Sequence, residues 1–192
     1  MTPKGLSHSI ISRTYQSYLA YLKDLIAMPS VFTDPAGIER AIQYCKDVIE
    51  KSLPEWQVSF DAKHNLIAHP ETLNTDRAIV YLSAHIDTVD ADASAWDGTH
   101  CPFAPFEDEQ DIRGRGASDC KAGVAYQLFL AYLHARGQLR LGNVVLTVTF
   151  NEEGSGNKTA TEMGRKLGTS LPLSETATHF IALENNVRAL TP

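Results

Sequence analysis

The sequence predicts an α/β fold: three layers, with a largely parallel or mixed central sheet covered by helices on both faces. Three observations predict it. Apolar runs recur at 78–84, 144–150 and 179–183, the second of them rich in β-branched residues. Segments with helical spacing of apolar groups precede and separate them. Strands that alternate with helices must cross over rather than turn back, which makes their sheet largely parallel and places its strand C-termini along one edge.

Each element has a local reason. From about Ser12 to Met28 apolar groups recur at helical spacing (Tyr15, Tyr18, Leu19, Leu22, Leu25, Ile26), and Pro29 closes the segment. A second helix is expected from Asp34, an N-cap residue followed by Pro35 at the first helical position. Its inward face is Ile38, Ala41, Ile42, Cys45, Val48 and Ile49. Trp56 to Phe60 alternates as a strand does, with Asn65 to Ala68 as a short partner. The strand Ala78 to Ala84 leads into a long polar stretch, Asp90 to Ser118, which is too long for a plain connection. A helix from about Lys121 to Arg136 ends at Gly137. Val144 to Phe150 is the next strand, Lys158 to Leu167 a further helix, and His179 to Leu183 the last strand.

Composition narrows the function classes. The chain has 192 residues, enough for one domain with a proper core, and 43% hydrophobic and 21% charged residues are ordinary for a globular protein. A net charge of -6 argues against a protein that tracks nucleic-acid phosphates. No apolar stretch approaches the roughly 20 residues needed to span a bilayer, and the N-terminus lacks a signal-peptide core. Cys45, Cys101 and Cys120 are scattered and odd in number, so neither a disulfide framework nor a zinc knot is indicated and a reducing, cytoplasmic setting is the simpler expectation.

The informative stretch is Ser83-Ala-His85-Ile-Asp87, at the end of a buried strand. Side chains two apart on a strand point the same way, and an imidazole beside a carboxylate suits metal binding. Glu152 and Glu153 follow the second strand, Glu184 follows the third, and Asp119 opens the helix between the first two. Open α/β sheets bind ligands outside the carboxyl ends of their strands. Taken singly, His85 reads as a capping or surface residue, Asp119 as a helix N-cap, and Glu152-Glu153 as a solvated loop. Taken together they fall on one edge, where so many carboxylates would repel without a cation. One His with an excess of oxygen donors fits zinc, cobalt or manganese, with two ions sharing a bridging group. The sequence has no H-E-x-x-H helix, phosphate loop or G-x-S-x-G elbow.

These residues carry a family resemblance. His85-Ile-Asp87-Thr-Val89, Trp96, Pro102-Phe103, Gly114-Arg-Gly-Ala-Ser-Asp119-Cys-Lys121-Ala-Gly123 and Asn151-Glu152-Glu153-Gly154 resemble the M20 metallopeptidases and deacylases. That group includes acetylornithine deacetylase, succinyl-diaminopimelate desuccinylase, aminoacylase and glutamate carboxypeptidase. Leu25-Ile-Ala-Met-Pro-Ser30 and Asn65-Leu-Ile-Ala68 fit it as well.

The resemblance implies His85 and Glu184 as ligands of a first zinc ion, Glu153 as ligand of a second, and Asp119 as the bridge. It implies Asp87 as the group orienting His85, Glu152 as general base, and a cis Asp119–Cys120 peptide. The implied reaction is hydrolysis of an amide bond in a small N-acyl amino acid or peptide. Two departures stand out: Cys120 replaces the usual Met, and Asn185-Asn186 follows Glu184 where many relatives have Pro-Thr. In the family an inserted lid and dimerisation domain comes next, and the chain then returns with a final His for the second ion. Residues 1–192 are therefore expected to be the N-terminal portion of the catalytic domain, binding metal weakly and turning over poorly alone. Two other classes stay open: a non-catalytic metal-binding or scaffold module that kept the fold, and a two-metal phosphohydrolase, disfavoured because no basic residue is evident beside the carboxylates.

Overall fold

Five strands build the central sheet, and three long helices cover one of its faces. The computed structural model describes residues 8–61, 64–96, 101–109, 111–150, 152–155 and 178–183. In chain order the elements are α1 (His8–Ala27), α2 (Pro35–Ser52), β1 (Trp56–Phe60), β2 (Leu66–Pro70), β3 (Ile79–His85), β4 (Phe106–Glu107), β5 (Ile112–Arg113), α3 (Ala122–Ala135), β6 (Val144–Thr149), the single turn α4 (Glu152–Ser155) and β7 (Thr178–Ala182). The helix expected from Lys158 to Leu167 lies outside the described residues, as does Glu184. No helix among the described residues is long and apolar enough to cross a membrane.

The sheet order is β1-β2-β6-β3-β7. β3 runs parallel to both β6 and β7, with His85 opposite Thr149 and Ser83 opposite Ala182. β2 pairs antiparallel with β6 and with β1, so the sheet is mixed. The reason is local: five residues between β1 and β2 leave room for a hairpin and none for a crossover helix. β3 and β6 are instead joined through α3, and their C-terminal ends lie side by side, as the alternation of strands and helices predicts.

Period-two alternation divides the sheet into two faces. Leu66 and Ala68, Leu82 and Ala84, and Leu146 and Val148 point toward α1, α2 and α3 and form the main core with Leu25, Ile26, Ile42, Cys45, Val124 and Leu128. Ile79, Tyr81 and Val145 point the other way, and Phe180 stacks on Tyr81 with ring centroids 4.6 Å apart. All the described long helices sit on the first face.

One local expectation is corrected. Asp34 precedes α2, but its carboxylate makes no cap hydrogen bond and pairs with Arg40 at 3.8 Å. Within the stretch 90–118, too long for a plain connection, Asp92 caps a short turn at 93–95, and β4 and β5 form a small hairpin tied to α1 by the Lys23–Glu107 ion pair.

Gly123, in the first turn of α3, marks the closest approach of helix and sheet. A Cβ there would run into the carbonyl of Leu183 and come within 3.0 Å of the Ala84 Cβ. Backbone cannot yield as a flexible side chain can, so overpacking lifts the helix off the strands. Gly123→Ala should cost about 1–3 kcal/mol and lower Tm by roughly 2–10 °C. An unchanged Tm in a thermal melt would contradict this packing.

Candidate metal centre

The parallel register brings together what the sequence spreads out. His85 closes β3 and is buried, with 3% of its side chain exposed. The Ile86 N–H continues the ladder onto the Thr149 carbonyl at 2.9 Å, which carries Asp87 past the end of β6. There α4 begins, and the Glu153 N–H donates to Asp87 Oδ2 at 3.0 Å. Asp119 arrives from the other side, on the turn Ala117–Lys121 that leads into α3. Asp119 does not cap that helix; its carboxylate reaches His85 instead. The Asp119–Cys120 peptide is cis, as the resemblance implies.

The imidazole shows what the site needs. His85 Nδ1 lies 3.0 Å from the backbone oxygen of Asp87. A carbonyl only accepts, so Nδ1 carries a hydrogen and donates it. Nε2 then has only a lone pair in the neutral ring, yet it faces Asp119 Oδ1 at 2.8 Å. Two acceptors at that separation repel unless a positive charge lies between them. Either a second ring proton or a metal ion meets the requirement.

The surrounding groups point the same way. Asp87 Oδ1 is buried, has no hydrogen-bond partner among the described residues and lies 3.5 Å from His85 Nδ1. A buried, unpaired carboxylate oxygen is stabilised by positive charge on its neighbour. Ligand atoms of His85, Glu152 and Glu153 lie within 4.8 Å of one another, as do those of His85, Asp119 and Cys120. Burial pulls the His85 imidazole down, but the adjacent Asp87 carboxylate, and then the Asp119 carboxylate, outweigh it and push the ring up to about 9. Burial, and then the neighbouring Asp119, Glu152 and Asp87 carboxylates, raise Glu153, while His85 alone opposes them. A proton therefore occupies the gap near neutral pH when no metal does. The donor set of one imidazole and several carboxylates fits a divalent ion of the zinc, cobalt or manganese kind.

Of the six residues singled out in the sequence, His85, Asp87, Asp119, Glu152 and Glu153 converge on this edge, and Glu184 lies outside the described residues. Lys121 escaped the sequence reading as a site neighbour. It is fully buried, and burial pulls its ammonium down to about 8. The signal for it was faint: a charged residue next to Cys120, at the start of an otherwise apolar helix.

A protein-family model described as peptidase family M20/M25/M40 matches residues 81–183, more than half of the chain. The chain is 29% identical over 150 residues to the succinyl-diaminopimelate desuccinylase of Methylobacterium nodulans, a match covering 72% of this chain and 35% of that protein. It is 27% identical over 160 residues to the N-formyl-4-amino-5-aminomethyl-2-methylpyrimidine deformylase of Halalkalibacterium halodurans, covering 80% and 37%. Human carnosine dipeptidase 1 superposes with a TM-score of 0.70 at 17% identity, over 84% of this chain and 37% of that one. The M20 family metallo-carboxypeptidase Sso-CP2 from Sulfolobus solfataricus gives 0.63 at 23%, over 86% and 37%. At those identities the structural likeness is one of fold. The chain spans little more than a third of the length of the curated relatives it matches.

The raised imidazole has a measurable consequence in the metal-free chain. Below the unfolded value of 6.5 the ring is protonated in both states, and its pairing with Asp87 and Asp119 contributes fully. As pH rises toward about 9 the unfolded state releases its proton first and that contribution fades. With chelator present, Tm should fall between pH 6.5 and 9, and His85→Gln should flatten the slope. A wild-type Tm that rises across this window would contradict the imidazolium assignment.

Proposed function

The chain belongs to the M20/M25/M40 peptidase family, and on that premise we propose that it carries the metal centre of an amide hydrolase acting on a small N-acyl amino acid or peptide. The observation that carries this reading is the 2.8 Å contact between His85 Nε2 and Asp119 Oδ1, two acceptors that require a cation between them. In this reading His85, Asp119, Glu153 and Glu184 would hold the divalent ions. Zinc is the ion expected, with cobalt or manganese as alternatives. The names of the matched relatives, a desuccinylase and a deformylase, describe removal of an acyl group and support an N-acyl substrate.

Divalent ions bound here would supply Lewis acidity and bring the pKa of water down toward about 7. The rest of the chemistry falls to the chain's own residues. Asp87 fixes the imidazole, its backbone oxygen holding the Nδ1 hydrogen so that Nε2 faces the ligand position. Asp87 also receives the Glu153 N–H, so one buried carboxylate orients both the His and the α4 turn. Glu152, half-buried beside Glu153, is proposed to hold the proton taken from water and pass it to the leaving amine. The Glu153 N–H is held by Asp87, and the reading assigns ligation to Glu153 and proton transfer to Glu152.

Because the chain spans little more than a third of its relatives' length, the activity of the whole protein is itself part of the proposal. The reading assigns these residues to the N-terminal portion of the catalytic domain. Weak metal binding and slow turnover are the expectation for these 192 residues alone.

Zinc uptake and hydrolysis of N-succinyl and N-formyl amino acids test the assignment together. His85→Ala should abolish zinc uptake. Glu152→Ala should keep it and lower the hydrolysis rate by about 10²–10⁴-fold. Uptake that survives His85→Ala would defeat the ligand assignment. Uptake without any hydrolysis by the unsubstituted chain, even on prolonged incubation, would favour the non-catalytic metal-binding module instead.

A further inference from the structure

Lys121 takes no part in the chemistry above, yet it lies two residues past Asp119 and has no exposed surface. No carboxylate among the described residues forms an ion pair with it. Its Nζ donates instead to the backbone oxygens of Leu25 and Met28, both at 2.8 Å, and sits 5.8 Å from the centroid of the Phe103 ring. Leu25 belongs to the last turn of α1, and Met28 is the next residue after that helix. The Leu25 oxygen also accepts the Met28 N–H at 3.2 Å, and both oxygens stand at the negative end of the helix dipole, so a compact ammonium with several donors is suited to them. The aliphatic stem passes under Gly116, whose φ is +77°. A Cβ on Gly116 would come within 3.0 Å of Lys121 Cδ and 2.6 Å of Thr88 Cγ2. The buried course of the lysine is therefore built into the turn.

The segment after α1 links this lysine to the strand end that bears His85. Ser30 Oγ donates to the Ile86 oxygen at 2.7 Å, the Thr88 N–H donates to the Ser30 oxygen at 3.0 Å, and the Phe32 N–H donates to the Thr88 oxygen at 2.9 Å. Ile86 and Thr88 flank Asp87 and come directly after His85. A closed circuit results: from Asp119 to Lys121, from Lys121 to Met28, from Met28 along the chain to Ser30, and from Ser30 to the segment that carries His85 and Asp87.

We propose that Lys121 is a positioning residue for the metal centre: by clamping the end of α1 it fixes the distance between Asp119 and the His85–Asp87 pair. The proposal rests on the metal-centre reading. Asp119 is exposed and sits on a turn; this circuit holds it against the end of β3 together with its contact to His85, the Cys120 thiol's hydrogen bond to the Leu183 oxygen and the close packing of Gly123 on Ala84. Without the clamp the turn is free to shift relative to the strand, and the ligand set loosens while the core survives.

Cobalt(II) absorption reports ligand number and geometry directly and does not require turnover. Lys121→Met keeps the length and apolar bulk of the stem and removes the donors. It should bind cobalt at least ten-fold more weakly than the unsubstituted chain, with a shifted and weakened d–d band. Ser30→Ala, which opens the circuit at its other latch, should change the band in the same direction by less. Gln127→Met removes another fully buried donor, the one to the Thr147 oxygen, away from the circuit; it should lower Tm and leave the cobalt spectrum unchanged.

A normal spectrum and affinity in Lys121→Met would overturn the proposal, as would an equal spectral change in Gln127→Met. If circular dichroism shows that Lys121→Met does not fold, Ser30→Ala decides, and an unaltered band there overturns it. Failure of the unsubstituted chain to bind cobalt would remove the metal-centre reading and this proposal with it. Normal cobalt binding by Lys121→Met removes the proposal alone.

Discussion

Two hydrogen-bond acceptors held 2.8 Å apart are the constraint on which this structure turns. The backbone of Asp87 commits one nitrogen of His85 as a donor, which leaves the other as a bare lone pair facing a carboxylate. Neither partner can move away cheaply. His85 ends a strand paired on both sides, and Asp119 sits on a turn anchored by a buried lysine. A site this rigid cannot relieve the repulsion by rearranging, so a cation relieves it. A proton does so in the metal-free protein, and a divalent ion that replaces the proton gains the carboxylates gathered around it. Protonation and metal binding are thus alternative answers to one electrostatic demand.

The fold makes that demand possible. Parallel pairing of β3 with β6 places residues 66 positions apart in the chain within hydrogen-bond distance, as the contact from Glu153 to Asp87 shows. The crossover through α3 then returns Asp119 to the same edge. Helix and strand approach closely enough at Gly123 that no side chain fits between them. Sites assembled from the ends of rigid elements hold their geometry better than sites on free loops. Here the segments that do the assembling are short: Ser30–Phe32, Ile86–Thr88 and Ala117–Lys121.

Much of this was legible in the amino-acid order. The strands at 79–85 and 144–149 and the helices at 8–27 and 35–52 arise from period and punctuation, with Pro29, Pro35 and Gly137 as markers. His85 and Asp87 were visible because strand spacing puts them on one side, and Asp119 and Glu153 because they share the edge where that strand ends. Other features left no such trace. The pairing of β1 with β2 was legible in the short partner strand, but the antiparallel pairing of β2 with β6 depends on choices that composition does not encode. Asp34 has the identity of a helix cap, but its carboxylate goes to Arg40 instead. Lys121 is the clearest case: a lysine reads as solvent-facing, and only the tertiary arrangement reveals that its partners are the carbonyls at the end of α1. Charged side chains satisfied by backbone carry no sequence partner to look for.

The most direct test of the central claim is the protonation state of the two His85 nitrogens, read from their ¹⁵N chemical shifts at pH 7.5 before and after zinc is added. The account predicts that both carry hydrogen in the metal-free protein. Zinc should then displace the Nε2 hydrogen and leave the Nδ1 hydrogen in place. A neutral ring with a bare Nε2 before zinc is added, or nitrogen shifts that zinc leaves unchanged, would contradict it.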